Sequence, residues 1–238
     1  MRKYYEILRK CPLFYDIENE NLIPMLGCIH ARVRQVKRDE VIAYEGEGCA
    51  DVGIVLSGEI QITRTDYEGN RSIVSSVHPS ELFGESFACA ELKKSPVDIV
   101  AKEDGEIMII DIHCLMHTCS NACEFHNKMI FNLLKAVSAS NIALNQKIEI
   151  ISKRSTREKL MAYLSVQAKR SGKNSFIIPF DRQELADYLE VDRSGLSAEI
   201  SKLRREGVLE CKNSCFTGID TSCIGLHTGK TAVFHKNI

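Results

Sequence analysis

Residues 180–209 read FDRQELADYLEVDRSGLSAEISKLRREGVL, and this stretch decides how the chain is interpreted. Asp181 and Glu184 have the spacing of a capping box, in which the two side chains satisfy backbone N–H groups at a helix start. Leu185, Tyr188 and Leu189 follow at spacings that give this helix one apolar face. Residues 190–192 make a turn, and Asp192 is placed to cap a second helix. There Leu196, Ile200 and Leu203 recur at i, i+4 and i+7 and face a core. Gly207 falls where a helix ending takes a left-handed residue. Arg193, Ser194, Ser197 and Lys202 lie off the apolar face, free to enter a major groove. A plain helical hairpin with a solvated face would share the apolar spacing. It would not need the caps, the turn length and the apolar rows to agree, as they do here.

Outward from this helix–turn–helix, the neighbouring segments complete a module over 154–217. Ser155 to Glu158 is a second capping box, opening a helix that runs to about Arg170 and stops at Gly172. SFIIPF is a short strand, and VLECKNSCF after Gly207 has the character of a winged-helix hairpin. Residues 121–151 lack Pro and Gly and read as one long helix. Ile130, Val137, Leu144 and Ile151 share one heptad position, and Leu134, Asn141 and Ile148 share the other. That is a coiled-coil seam in which Asn141 sets register. A long helix lying on its own domain is the other reading of the same spacing. Dimerisation through Ile130, Leu134, Val137, Asn141, Leu144 and Ile148 is expected, because twofold-symmetric proteins read paired half-sites.

Residues 30–112 carry short strand signals: ARVRQV, DEVIAYEGE, DVGIVLSGEIQITR, SIVSSV and VDIVAKEDGEIMIID. A hairpin turn falls at 67–70. Short strands at regular spacing indicate a barrel or jelly roll. Residues 1–29 read as helical, with the PLFYDIENENLIPML segment ending at Gly27. The expected divisions are 1–118, 119–153, 154–217 and an atypical tail, 218–238.

Bulk properties fit this layout. The 238 residues are 26% charged and 44% hydrophobic, ordinary for a globular chain. The net charge of −1 hides an asymmetry. Residues 151–238 hold 15 Lys and Arg against 10 Asp and Glu, leaving 16 against 22 elsewhere. The basic excess thus accompanies the helix–turn–helix, as phosphate contacts require. MRKYYEILRK has no apolar core, and no apolar run approaches the ~18 residues of a membrane span. A cytoplasmic location without membrane contact is expected. The ten cysteines are then read as free thiols rather than a disulfide framework. No Walker loop, G-x-S-x-G or H-E-x-x-H motif is present, so an enzyme is not expected.

A β-roll, a long helix and a winged helix–turn–helix, in this order, resemble the Crp/Fnr family of bacterial transcription regulators. The resemblance covers about residues 10–216. It rests on Gly46, Gly58 in VLSGEIQI, Gly84 in LFGES, the helix leading into STREKLMAYL, and the DNA module itself. It implies an α+β fold: an N-terminal double-stranded β-helix of the cyclic-nucleotide-binding jelly-roll type, a dimerisation helix and the winged module. It implies double-stranded DNA with a pseudo-palindromic site, a second copy of the chain and RNA polymerase as partners. By the same resemblance Arg193 pairs with guanine O6 and N7, Ser194 and Ser197 stand beside bases or phosphates, and Arg182 and Gln183 touch phosphate. Ala198 falls where many members carry a second reading arginine, and Glu199 or Lys202 are placed to compensate. The roll also serves as a regulatory module on kinases and channels, but neither partner domain accompanies it here.

The effector is open. In cyclic-nucleotide-binding members a Gly-Glu pair takes the ribose and an Arg-Ser pair takes the phosphate. Gly84 and Glu85 keep the first, but Ser95 and Pro96 replace the second. No guanidinium is left for the phosphate, so cAMP and cGMP are not expected. A different effector would be bounded by Gly84, Glu85, Ser86, Ser95, Pro96, Leu144 and Asn145. A constitutive regulator with an empty pocket is the alternative. Residues 113–126, HCLMHTCSNACEFH, add His113, Cys114, His117, Cys119, Cys123 and His126. These are either packed thiols and surface histidines, a metal or haem centre with Cys119 and Cys123 as ligands, or a redox-switched thiol pair.

Overall fold

The computed structural model describes residues 2–48, 51–116, 124–173, 175–212 and 214–217. The chain divides into two compact units, Met1–Lys147 and Ile148–Ile238. The sequence-based limits at 118/119 and 153/154 do not fall at this division, because most of the long helix packs with the first unit. The tail from 218 lies outside the described residues.

In the first unit a 3-10 turn at Arg2–Tyr4 leads to α1 (Tyr5–Leu8), and a second at Pro12–Phe14 precedes α2 (Asn19–Cys28). The strands are β1 (Arg32–Val36), β2 (Val41–Ala43), β3 (Asp51–Ser57), β4 (Ile60–Thr65), β5 (Arg71–Val77), β6 (Leu82–Phe83), β7 (Asp98–Ala101) and β8 (Gly105–Asp111). A short α3 (Glu85–Cys89) stands between β6 and β7. After β8 come α4 (Ile112–Met116) and α5 (Glu124–Ile151). Two four-stranded sheets form, ordered β1-β8-β3-β6 and β2-β7-β4-β5, with every pair antiparallel.

Strand alternation sorts the side chains into two cores, since neighbours along a strand point to opposite faces. Val52, Ile54 and Leu56 of β3 and Met108 and Ile110 of β8 face outward. They join Leu13, Phe14, Leu22, Met25 and Leu26 near the N-terminus and Met129 and Leu133 of α5. Val55 and Ile107 face the roll interior with Val36, Ile60, Val77, Phe83, Ile99 and Ala101. Gly53 is required at its place on β3: an added Cβ would lie 1.9 Å from Phe83 Cζ. The Phe83 ring fills the space a side chain would occupy.

Local chemistry explains the turns. Between β4 and β5, the Asp66 carboxylate accepts from the backbone N–H groups of Glu68 and Asn70 at 2.9 and 2.8 Å, and Gly69 is left-handed with φ +86°. The end of α2 differs from expectation. Its left-handed residue is His30, at φ +50°, rather than Gly27. The His30 N–H donates to the Gly27 carbonyl and that of Ala31 to Leu26, the bond pattern of a Schellman motif with histidine in the position glycine usually holds.

In the second unit, α6 (Thr156–Ser171), β9 (Ser175–Ile177), α7 (Arg182–Leu189), α8 (Arg193–Arg205), β10 (Glu210–Lys212) and β11 (Cys215–Thr217) follow the end of α5. A small antiparallel sheet has the order β10-β11-β9. Both capping boxes form, Ser155 with Glu158 and Asp181 with Glu184. Gly207 is left-handed at φ +70° and closes α8 with the Gly207 and Val208 N–H groups bonded to Arg204 and Leu203 carbonyls. Leu160, Leu164, Leu185, Leu189, Leu196, Ile200, Leu203, Leu209 and Phe216 are buried. Tyr163, Phe180 and Tyr188 stack as a tilted aromatic trio with centroids 4.9–6.2 Å apart.

Candidate functional site

The candidate nucleic-acid surface is built on α8. Its start is fixed by Asp192, whose carboxylate accepts from the Gly195 N–H at 2.8 Å and from the Ser194 hydroxyl. Those bonds, the Ser194 hydroxyl foremost, hold the Asp192 carboxyl below its ordinary range. The α7–α8 turn is set by Glu190, left-handed at φ +53°, and by Lys159 of α6, whose ammonium donates to the Leu189 and Glu190 carbonyls, both at 3.2 Å. With Leu196, Ile200 and Leu203 buried, the other side of α8 is left outward. Arg193, Ser194, Ala198, Ser201, Lys202 and Arg205 are exposed there, and Ser197 is half-buried at its margin.

Two predicted residues stand apart from that surface. Glu199 Oε1 accepts from Arg157 of α6 at 3.4 Å, and Arg157 also pairs with Glu206 at 2.7 Å. The α6 guanidinium thus engages the carboxylate that was to compensate for Ala198, and Lys202 remains the exposed one of the two. Arg182, at the start of α7, is half-buried and donates to Cys211 Sγ at 3.6 Å. Gln183 beside it is exposed and donates to Asp187 at 2.7 Å. Ser201 and Arg205 were missed from sequence. They lie one and two turns beyond Ser197 on the outward side, and the 3.6-residue period alone could have found them.

The second site is the roll interior. A cavity of about 370 Å³ is lined by Arg32 and Arg34 of β1, Ile42, Asp51, Phe83, Gly84, Ile99 and Ile109, among others. Register places both arginines on the inner face, because Arg32 lies opposite Ile109 and Arg34 opposite Ile107. Arg34 pairs with Glu40 at 2.5 Å. Burial, foremost, raises the Asp51 carboxyl's pKa.

Of the seven expected pocket residues, only Gly84 lines this cavity. Glu85 is buried beside it and accepts from the Ser140 hydroxyl of α5 at 2.8 Å. Ser86 is half-buried on α3. The buried Ser95 is committed to backbone: its N–H donates to the Glu47 carbonyl at 2.6 Å, its carbonyl accepts from Gly46 N–H, and its hydroxyl donates to Val97. Pro96 is exposed, as are Leu144 and Asn145 on α5, where Asn145 donates to Asn141 at 2.8 Å. The expected pocket is therefore not one set of walls, because hydrogen bonds within the fold take up its polar members.

The long helix presents two apolar rows rather than one. His126, Met129 and Leu133 are buried, and Val137 packs against the same core cluster. Phe131, Leu134, Ile142, Leu144 and Ile148 are exposed. Ile130 is half-buried and Asn141 exposed. The outward row thus carries Leu134, Asn141 and Ile148 from the expected seam, while Val137 of the other heptad row turns to the roll. Of the cysteine–histidine cluster, His117, Cys119 and Cys123 lie outside the described residues. His126 is buried on α5, His113 is exposed, and Cys114 is half-buried.

Residues 33–121 match the family model of the cyclic nucleotide-binding domain, and residues 158–220 that of the Crp-like helix-turn-helix domain. The transcriptional activator protein FnrL of Cereibacter sphaeroides is 23% identical over 191 residues, spanning 74% of this chain and 71% of its own. The c-di-GMP responsive regulator CLP of Xanthomonas campestris shares the fold at TM-score 0.70 and 15% identity, over 86% of this chain and 100% of that chain. FixK2 of Bradyrhizobium japonicum does so at 0.62 and 17%, over 79% and 91%. FnrL is a transcriptional activator and CLP a global regulator. No helix among the described residues is long and apolar enough to cross a membrane. With both modules matched in chain order and α8 presenting a polar surface between firm caps, this chain belongs to the Crp/Fnr family of DNA-binding transcription regulators.

Proposed function

We propose that the protein acts in the cytoplasm as a homodimer on pseudo-palindromic DNA, in contact with RNA polymerase, and is gated by an effector other than cAMP or cGMP. The observation that carries the dimer is the outward row of α5. Five large apolar side chains lie exposed along this one helix. Covering them against a second copy removes apolar surface from water, the main favourable contribution to association. Twofold-symmetric DNA-binding dimers read paired half-sites about 34–36 Å apart, one recognition helix to each. On each, Arg193 reads guanine, with Ser194, Ser197 and Lys202 beside bases or phosphates and Arg182 and Gln183 on phosphate.

Gating is supported by the roll cavity, and the exclusion of cyclic nucleotides by the lack of a cation where Ser95 and Pro96 stand. Glu85 already has a partner in Ser140, and Ser95 and Pro96 supply no cation. The cations at the cavity wall, Arg32 and Arg34, come from β1. An effector acts only through a difference in its affinity for two states of the protein. The test is selection of bound duplexes from a random pool, with protein mass measured on the selected site. A twofold-symmetric sequence with two protomers bound is expected. A single half-site bound by one protomer would overturn the dimer. A rise in melting temperature with cAMP or cGMP would overturn their exclusion.

A further inference from the structure

The cysteine–histidine segment acquires a partner that no local motif announces. At the end of β8, Asp111 and Cys114 meet His30, which lies 84 residues before Cys114. One ligand atom from each of these three residues lies within 4.8 Å of the others, and Cys114 Sγ is 3.3 Å from His30 Nδ1. We propose that His30, Asp111 and Cys114 form a binding site for a transition-metal dication of the zinc type.

The donor set selects the ion. A thiolate and an imidazole favour zinc, cobalt or another borderline-soft metal over magnesium or calcium, which take oxygen. Thiolate and carboxylate together carry two negative charges, so a dication leaves the first shell neutral. Bond lengths of ~2.0–2.3 Å to N, O and S place tetrahedral ligand atoms some 3–4 Å apart. The sulfur–nitrogen separation already meets that figure, and the third ligand atom lies within 4.8 Å of both. Three protein ligands leave a fourth position for water or an exchangeable ligand. On binding, the Cys114 S–H proton is released to solvent and the sulfur lone pair goes to the metal, so charge and atoms balance.

Two features outside the ligand atoms agree. Asp111 is oriented from its own chain, one carboxylate oxygen accepting from the His113 N–H at 2.8 Å and the Cys114 N–H at 3.4 Å. Such outer bonds hold a ligand in place before the metal arrives. His30 occupies a left-handed position where glycine costs least, so histidine there carries backbone strain for its side chain. The same strain supplies a clean variant. His30→Gly removes the imidazole while relaxing the backbone, so loss of metal is separated from loss of fold.

The experiment uses the full chain, reduced and stripped by chelator, titrated with Co²⁺ under anaerobic conditions. A thiolate-to-cobalt charge-transfer band with visible tetrahedral bands is expected, at one ion per chain. Zn²⁺ should displace it. Cys114→Ser should abolish the charge-transfer band. His30→Gly, with unchanged circular dichroism, should weaken binding by more than about 100-fold, since loss of an outer-shell partner alone costs 10–100-fold. Absence of the bands in the unaltered chain overturns the site. So does a spectrum retained at equal affinity in both variants, which would assign the metal to other cysteines such as Cys119 and Cys123.

Discussion

Leu134→Ala is the most direct test of which face of α5 meets a partner. Leu134 is 61% exposed in the single chain. Full burial of a leucine side chain is worth ~1.5–3 kcal/mol, so covering what remains open contributes roughly 1–2 kcal/mol. Alanine retains part of this, leaving a loss of about 1–1.5 kcal/mol per copy. A twofold interface counts the change twice, ~2–3 kcal/mol, or a dimer dissociation constant raised about 30- to 150-fold. Val137→Ala is the matched control. Val137 packs against the roll cluster with Met129 and Leu133. Its truncation should lower the stability of the first unit by ~1 kcal/mol and leave dimer affinity nearly unchanged. Sedimentation equilibrium over a dilution series, with chemical denaturation of each variant, measures both quantities. If Val137→Ala dissociates the dimer while Leu134→Ala does not, the assignment of the outward row is refuted.

Other expectations can be measured alongside. Arg193→Ala should weaken binding to the selected site by about 1–3 kcal/mol and relax preference at one base pair; an equal loss on scrambled duplex would remove its base-reading role. The Tyr163 hydroxyl is buried with no hydrogen-bond partner among the described residues, and the same burial foremost raises its pKa. Tyr163→Phe should therefore stabilise the second unit by ~1 kcal/mol in urea unfolding, and a loss of that size would reveal a partner. Because the Asp192 carboxyl is held low, its cap on α8 is complete above the ordinary value of 3.8 and is lost as pH falls through the lowered one. The Gly195 amide resonance should titrate in that acid window, and Asp192→Ala should remove the transition.

Several elements were legible because they are set within a few residues of chain. Asp181 and Glu184 bond each other's backbone across three positions, and so do Ser155 and Glu158. Their spacing in sequence is their spacing in space. Gly207 ends α8 for the same local reason. The heptad rows of α5 were visible, but not their assignment. A helix that lies on a roll and also meets a second copy, as proposed for α5, needs apolar residues on both sides, and spacing alone does not tell the two rows apart. The surroundings of the expected pocket residues were hidden for a related reason. Ser95 and Glu85 were placed by resemblance, whereas hydrogen bonds to Val97, Glu47 and Ser140 decide what their polar atoms do.

By itself the sequence determined the helix–turn–helix, its caps and the alternating strands of the roll, since each depends on side chains acting on neighbouring backbone or on a fixed period of two or 3.6 residues. Tertiary structure alone decided that Arg157 engages Glu199, that Arg32 and Arg34 line the roll cavity, and that His30 meets Asp111 and Cys114. Those pairings join segments far apart in the chain. Nothing in local propensity or spacing encodes them, and they exist only once strand register and helix packing have brought the side chains together.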